Sequence, residues 1–350
     1  MKPTYKVPSM EEIKAIPWNG YKVASTFSGC GGSCLGYRMA GYRVVYANEF
    51  IPEAQATYKA NHPNSFLDPR DIRTIQPAEI FEAAGIAAGE LDLLDGSPPC
   101  SAFSTVGKRE GGWGEVKKYS DTEQRVDDLF FEYVRLLKGL QPKVFVAENV
   151  TGLVKGTAKG YFKIILAAMK ESGYNVTCRV LDSRWLGVPQ MRQRTIFIGT
   201  REDLGVLPVH PQPLSYCYTV GEAMGNVPAP SLFRPLTPGT RVHDYWEASK
   251  PGDQFNKISK ERRGVDAFYS HIRMSPARQA NTITQVCAMY HWDEPRSLTI
   301  AELKRVSGFP DDFILTGSFN KQWERIGRAV PPVMMSHVAS TVRSKILDLI

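Results

Sequence analysis

The chain of 350 residues carries 43 Lys+Arg against 36 Asp+Glu, a formal net charge of +7, with 43% hydrophobic residues. That length builds one large α/β domain or two smaller ones. No apolar run approaches the ~18 residues of a membrane helix, and no apolar block near the start suggests a signal peptide, so a soluble, intracellular protein is expected. Six cysteines (Cys30, Cys34, Cys100, Cys178, Cys217, Cys287) are too sparse for a disulfide scaffold, and no CxxC pair points to structural zinc. No metal is expected, and at least one thiol is free to do chemistry. The positive excess fits either plain solubility or a polyanionic partner.

From Tyr21 to Thr200 short β-rich runs alternate with helical patterns, which predicts a parallel sheet covered by helices. The expected strands are Lys22–Phe27, Arg43–Ala47, Leu91–Gly96, Lys143–Ala147, Asn175–Leu181 and Thr195–Gly199. The expected helices are Cys34–Ala40, Pro52–Asn61, Pro77–Ala84, Glu123–Lys138 and Tyr161–Glu171. From Leu204 to about Ala280 prolines, glycines and aromatics crowd together and the periodicity fades. Residues 214–280 hold nine Lys+Arg against six Asp+Glu, so part of the positive excess gathers there. Helical patterns return at Ile300–Gly308 and Val333–Leu349. The expected layout is a main domain over 1–203, an insertion over 204–284, and a part over 285–350 that completes the main domain.

Four places can carry chemistry. The first strand runs into Phe27-Ser28-Gly29-Cys30-Gly31-Gly32, and Glu49 closes the second strand. Glycines let the backbone approach a ligand, and an acid at that strand end accepts from ribose hydroxyls. Cys34 stands where the third glycine of GxGxxG would be, which argues for a single nucleoside such as S-adenosylmethionine and against a dinucleotide. Next, Gly96-Ser97-Pro98-Pro99-Cys100-Ser101 holds a thiol behind two prolines at a strand's carboxyl edge, with Gly107–Gly114 as a candidate lid. Third, Glu148-Asn149-Val150 puts an acid at the end of a neighbouring strand. Fourth, strand alternation puts Gln190, Arg192 and Arg194 on one face, suited to a base or a phosphate.

In this order the four elements resemble the cytosine-C5 DNA methyltransferase family, and Arg296–Phe313 (RSLTIAELKRVSGFPDDF) and Ile326–Pro332 (IGRAVPP) look like its last two motifs. The resemblance implies a Rossmann-like, S-adenosylmethionine-dependent methyltransferase fold with a small inserted target-recognition domain. It also implies covalent catalysis on a cytosine flipped out of duplex DNA. Cys100 would add to C6, Glu148 would meet the N3/N4 edge, and Arg194 would contact O2. Arg192 would support the thiol, the phosphate or Glu148. For the cofactor the resemblance implies Phe27, Gly29, Gly31, Glu49, Phe50, Asp71, Ile72, Pro99, Leu129, Arg328, Ala329 and Val330. Ser104, Lys257, Lys260, Arg262, Arg263 and Arg273 would face DNA. The expected setting is a monomer in the cytoplasm of a bacterial or phage-infected cell, serving restriction-modification or phage DNA modification.

One position departs from the pattern: the family commonly has Gly-Asn-Ala/Ser where this chain has Gly327-Arg328-Ala329. A cation beside a sulfonium is unfavourable unless it turns away or meets an anion. Arg328 therefore either meets an acidic neighbour or a DNA phosphate, or binds the carboxylate of an atypical donor, carboxy-S-adenosylmethionine, for carboxymethyl transfer. A second reading is a tRNA cytosine-C5 methyltransferase, which the Ser-Pro-Pro-Cys variant also resembles. A third is a binding module that has lost activity, against which the intact Cys100, Glu148 and Arg194 argue. A cysteine hydrolase would need a histidine that spacing does not place beside Cys100.

Overall fold

A computed structural model describes residues 2–99, 117–119, 122–124, 128–154, 159–228 and 231–350. Cys100, Ser104 and the expected lid Gly107–Gly114 lie outside the described residues. The chain divides into two compact units. One comprises Ile13–Asp182, Gln193–Gln212 and Met335–Ile350; the other comprises Met1–Glu12, Ser183–Arg192 and Pro213–Met334.

The first unit is built on a seven-stranded sheet. Its strands are β1 (Lys22–Thr26), β2 (Arg43–Asn48), β3 (Phe66–Asp68), β4 (Leu93–Gly96), β5 (Val144–Val150), β6 (Tyr174–Asp182) and β7 (Gln193–Arg201), in the order β3-β2-β1-β4-β5-β7-β6. β1 to β5 pair in parallel, and β7 runs antiparallel to both β5 and β6. Thr26 pairs with Asn48 on one side and Gly96 on the other, and Gly96 pairs with Ala147. The segments after β1, β2, β4 and β5 therefore leave the sheet along one edge. The winding reverses between β1 and β4, and such a switch point is where open α/β sheets bind ligands.

Helices α1 (Gly32–Met39), α2 (Pro52–Asn61), α3 (Pro77–Ala84), α4 (Leu129–Leu140) and α5 (Lys159–Glu171) belong to this unit. Alternation sorts the strand residues by face. Ala24, Phe145 and Ala147 join Ile80 of α3, Tyr133 and Leu137 of α4, and Ile165 of α5 in one buried core. α2 and α3 have their expected limits, each with a proline in its first turn. α4 starts at Leu129 and not at Glu123, and carries an apolar stripe of Phe130, Tyr133, Leu137 and Leu140. Thr122–Gln124 instead pairs with Lys117–Tyr119. The three-residue strand β3 has no counterpart among the expected strands.

The second unit holds α6 (Arg241–Ala248), α7 (Phe255–Arg263), α8 (Ile300–Val306), α9 (Phe319–Arg328) and the start of α10 (Pro332–Lys345). Its core gathers Leu236, Tyr245, Trp246, Phe255, Ile258 and Tyr290. Residues 285–334 group with this unit, whereas the expected layout ends the insertion at 284. The reason lies in the pairing: Ile272–Arg273 pairs with Met289–Tyr290, and Pro235 bridges to Arg296, so pairings begun before 284 are completed after it. α10 ends at Lys345, before the expected Leu349, and a 3-10 turn follows at Leu347–Leu349. Among the described residues no helix is long and apolar enough to cross a membrane.

Candidate active site

The glycine-rich turn after β1 is held in a shape most side chains avoid. Phe27 has φ +54°, Gly29 +57° and Gly31 +89°. The Ser28 amide donates to the Asn48 carbonyl at 3.0 Å, and the Gly31 amide donates to the Ser28 carbonyl at 2.9 Å. A Cβ on Gly31 would sit 2.2 Å from Nε2 of the buried His62, so only glycine fits. Glu49, buried at the end of β2, accepts from the Gly29 amide through Oε2 and from the Ile51 amide through Oε1, each at 2.7 Å. These two bonds fix the carboxylate against the turn. Phe27 and Phe50 are half-buried, Ile72 is buried, and Asp71 caps the turn Ile72–Thr74 while pairing with Arg73 at 3.0 Å. Pro99 is half-buried and Leu129 buried.

A second part of the site is built by β5 and β7. Glu148 lies opposite Ile196 in the antiparallel ladder, so Arg194, two residues before Ile196, is its diagonal neighbour on the same face. Arg194 Nε lies 2.7 Å from Glu148 Oε1, with both side chains largely buried. Burial works against the guanidinium's charge, and Glu148 offsets it. The next residue, buried Asn149, donates from Nδ2 to the Pro98 carbonyl at 3.0 Å and accepts from the Val150 amide at 2.9 Å. Asn149 thus ties the end of β5 to the double-proline run that leads into Cys100. The sequence motif assigns it no role, because nothing in a single sequence shows that Pro98 is its partner.

The expected row Gln190, Arg192 and Arg194 is not one face. Gln190–Met191 pairs with Ala280–Asn281, whereas Arg194 belongs to β7. Gln190 accepts from the Ile283 amide at 3.1 Å and donates to Ser307 Oγ at 3.3 Å. Arg192, 2% exposed, donates to the carbonyls of Ile283 at 2.9 Å and Gly327 at 3.1 Å. Both therefore brace the backbone of the second unit. Gly327 itself packs on the Thr284 carbonyl, which a Cβ would approach to 2.2 Å. Arg328, the last residue of α9, donates from Nε to Glu324 Oε1 at 2.8 Å, one helical turn earlier. Val330 is buried just beyond.

A model of the C-5 cytosine-specific DNA methylase family matches residues 21–344. The chain belongs to this family. It is 31% identical over 327 residues to the Type II methyltransferase M1.HphI of Haemophilus parahaemolyticus, covering 90% of this chain and 85% of that protein. Its identity to the Type II methyltransferase M.NgoFVII of Neisseria gonorrhoeae is also 31%, over 93% of this chain and 87% of that one. Among solved structures, a DNA modification methyltransferase encoded within an E. coli prophage has the same fold, with a TM-score of 0.71 at 22% identity, covering 93% and 99% of the two chains. A DNMT2 variant of Spodoptera frugiperda aligns with a TM-score of 0.66 at 16% identity, covering 93% and 100%.

For a DNA cytosine methyltransferase of this family and fold, S-adenosylmethionine is the implied methyl donor, and the turn around Gly29 fits it. A carboxylate offers roughly four lone-pair positions, so Glu49 can accept from ribose hydroxyls beyond the two amides it already binds. A Cβ at Gly29 would meet nothing within 4 Å, which leaves open space directly over the turn.

On the second unit, α7 buries Phe255, Ile258 and Ser259 and leaves Lys257, Lys260, Arg262 and Arg263 exposed, with no ion pair to any of the four among the described residues. Arg273 differs from them. Its guanidinium lies 4.0 Å from the Trp246 ring centroid and donates to the carbonyls of Trp292 at 2.8 Å and Ser249 at 2.6 Å, so it braces the second unit from within.

Proposed function

We propose that this methyltransferase modifies C5 of a cytosine flipped out of duplex DNA, with Cys100 as nucleophile and the Glu148–Arg194 pair holding the base. The single observation carrying this reading is that pair, 2.7 Å apart and largely buried, beside the Asn149 bond to Pro98 two residues before Cys100. Cytosine C5 is a poor nucleophile, so the Cys100 thiolate adds to C6 and turns C5 into an enamine carbon. Electron density then builds on the N3 side of the ring, where the Glu148 carboxyl meets the N3/N4 edge and stabilises it through a shared proton. Arg194, fixed by Glu148, directs its remaining N–H groups to O2. When bound, S-adenosylmethionine supplies an electrophilic methyl on its sulfonium. Once C5 is alkylated, its hydrogen passes as a proton to a base or to water, the electron pair of the C5–H bond expels the sulfur from C6, and aromaticity returns with the thiolate.

Phe27, Gly29, Gly31, Glu49, Phe50, Asp71, Ile72, Pro99 and Leu129 would hold the donor, and the family pattern adds Ala329 and Val330. Plain methyl transfer is favoured over carboxymethyl transfer, because the anion that the alternative asked of the donor is already present in Glu324 beside Arg328. α7 would meet phosphates, within a recognition segment that includes 204–284. One chain carries every group named, so we read it as a monomer acting in the cytoplasm, where genomic DNA lies. Bisulfite sequencing of DNA from cells expressing the chain, beside Cys100→Ala, tests the reading: C5 marks should appear with the first and vanish with the second. Marks that persist in Cys100→Ala overturn the nucleophile, and transfer to tRNA alone overturns the substrate.

A further inference from the structure

Methyl transfer by Cys100, Glu148 and Arg194 leaves Asp95 unused, although it stands at the root of the loop leading through Pro98 and Pro99 to Cys100. It is 1% exposed, on β4. Ser25 Oγ donates to its Oδ2 at 2.9 Å and the Tyr37 hydroxyl donates to its Oδ1 at 3.0 Å, while Thr26 Oγ1 donates to its carbonyl at 3.2 Å. From Ser25 the network continues: Ser28 Oγ donates to the Ser25 carbonyl at 3.1 Å and lies 3.2 Å from Ser25 Oγ. Ser28 is the residue before Gly29, whose amide binds Glu49. Buried hydrogen bonds thus run from the catalytic loop's root, through the end of β1 and the first helix, to the turn that would hold the donor.

The groups facing Asp95 are Ser25 on β1, Tyr37 and Cys34 on α1, Tyr133 on α4 and Glu148 on β5. None is a cation. Burial raises the carboxyl to about 7, with Glu148 adding to the rise and the two hydroxyl donors opposing it. Both donors bond most strongly to the ionised carboxylate. A protonated carboxyl carries an O–H of its own, so the Ser25 bond reverses: Asp95 donates to Ser25 Oγ, whose own hydrogen turns toward Ser28, and the charge-assisted bonds to both hydroxyls become weaker neutral ones.

We propose that Asp95 is a positioning residue: ionised, it locks the cofactor turn to the root of the Cys100 loop through Ser25 and Tyr37, and taking up a proton loosens that lock. This rests on S-adenosylmethionine being the donor held at Gly29 and Glu49.

Calorimetric titration with S-adenosylhomocysteine at pH 6 and pH 8 tests it on the full chain. Exchanging these charge-assisted hydrogen bonds for neutral ones corresponds to about three- to tenfold in affinity. The wild type should bind by that factor more weakly at pH 6 than at pH 8, and Asp95→Asn should bind weakly at both, with KM for the donor raised more than kcat is lowered. Ser25→Ala and Tyr37→Phe carry the same test should Asp95→Asn fail to fold: each should weaken binding at pH 8 and flatten the pH profile. A wild type that binds, beside variants with the same affinity and the same pH dependence, overturns the proposal alone. A wild type that binds at neither pH overturns the cofactor reading and the proposal with it.

Discussion

Gly31→Ala should destabilise the first unit through two separable effects. Gly31 has φ +89°, where an alanine is strained by about 1–3 kcal/mol. The added Cβ would also meet His62 Nε2 at 2.2 Å, Cδ2 at 2.6 Å and Tyr58 Cδ2 at 3.1 Å. His62 cannot swing clear. It is 2% exposed and stacks on Tyr58 with centroids 4.5 Å apart, and Arg38 Nη1 lies 3.3 Å from its Nδ1. Burial holds the imidazole neutral, with its pKa pulled down to about 3, so the clash is with an uncharged ring. Overpacking of this kind costs about 1–3 kcal/mol, which together with the strain gives about 2–6 kcal/mol in all. Urea unfolding should show a lower midpoint at unchanged slope. In a double-mutant cycle, His62→Ala should relieve the overlap and leave the backbone strain, so the two substitutions should couple favourably by about 1–3 kcal/mol. Additive effects, or a Gly31→Ala protein as stable as wild type, would refute the steric account.

Three further outcomes are expected. Arg192→Met leaves the carbonyls of Ile283 and Gly327 without their donor at a 2% exposed site, about 1–3 kcal/mol each; unfolding by denaturant should show a loss of about 2–6 kcal/mol, and wild-type stability would show that the brace is idle. Replacing Lys257, Lys260, Arg262 and Arg263 with alanine should flatten the dependence of log K on log salt for duplex DNA by about 0.9 for each phosphate no longer neutralised. Arg273→Ala should lower the melting temperature and leave that slope alone; the reverse result would return Arg273 to the DNA face. For Asp95 the sign is set by a folded value of about 7 against an ordinary 3.8. As pH rises from about 4 to about 7 the unfolded chain releases this proton while the fold keeps it, so the group's contribution to stability is full below that window and is lost across it. The stability of Asp95→Asn relative to wild type should therefore rise from about pH 5 to about pH 8, and a difference that is flat or falls with pH would contradict a buried, proton-retaining carboxyl.

Much of the first unit is legible in the sequence because its elements carry local signals. α2 and α3 begin at prolines that suit a helix's first turn, and their limits follow. β5 reads as a continuous apolar run because both faces of a central strand are buried, and its two-sided burial from Val144 to Ala147 is what the structure shows. β3 carries no such signal: three residues, with Phe66 half exposed, become a strand only because β2 offers them a free edge. The start of α4 is hidden for a related reason. Val126 keeps helical spacing with Leu129, Phe130 and Tyr133, so the pattern runs past the start of the helix, and the pairing of Thr122–Gln124 with Lys117–Tyr119 is what takes Glu123 out of it.

The two arginines show where sequence periodicity stops being a guide to a site. Alternate residues share a face only while one ladder continues. Between Met191 and Gln193 the chain changes partners, from Ala280–Asn281 to β5 and β6, so the period-two rule that joins Arg192 to Arg194 has no ladder to act on. That exchange depends on residues far along the chain, and no pattern within 190–194 reports it. Arg328 is the opposite case. Its unusual charge suggests a carboxylated donor, yet Glu324 lies four residues earlier on the same helix, the spacing at which opposite charges meet. The local pair is readable from sequence and gives the cation an anion within the chain, one whose Oε1 Arg325 shares at 3.1 Å. A charge that looks out of place at a binding motif is therefore tested first against its own helix, and only a charge left over after that test says anything about the ligand.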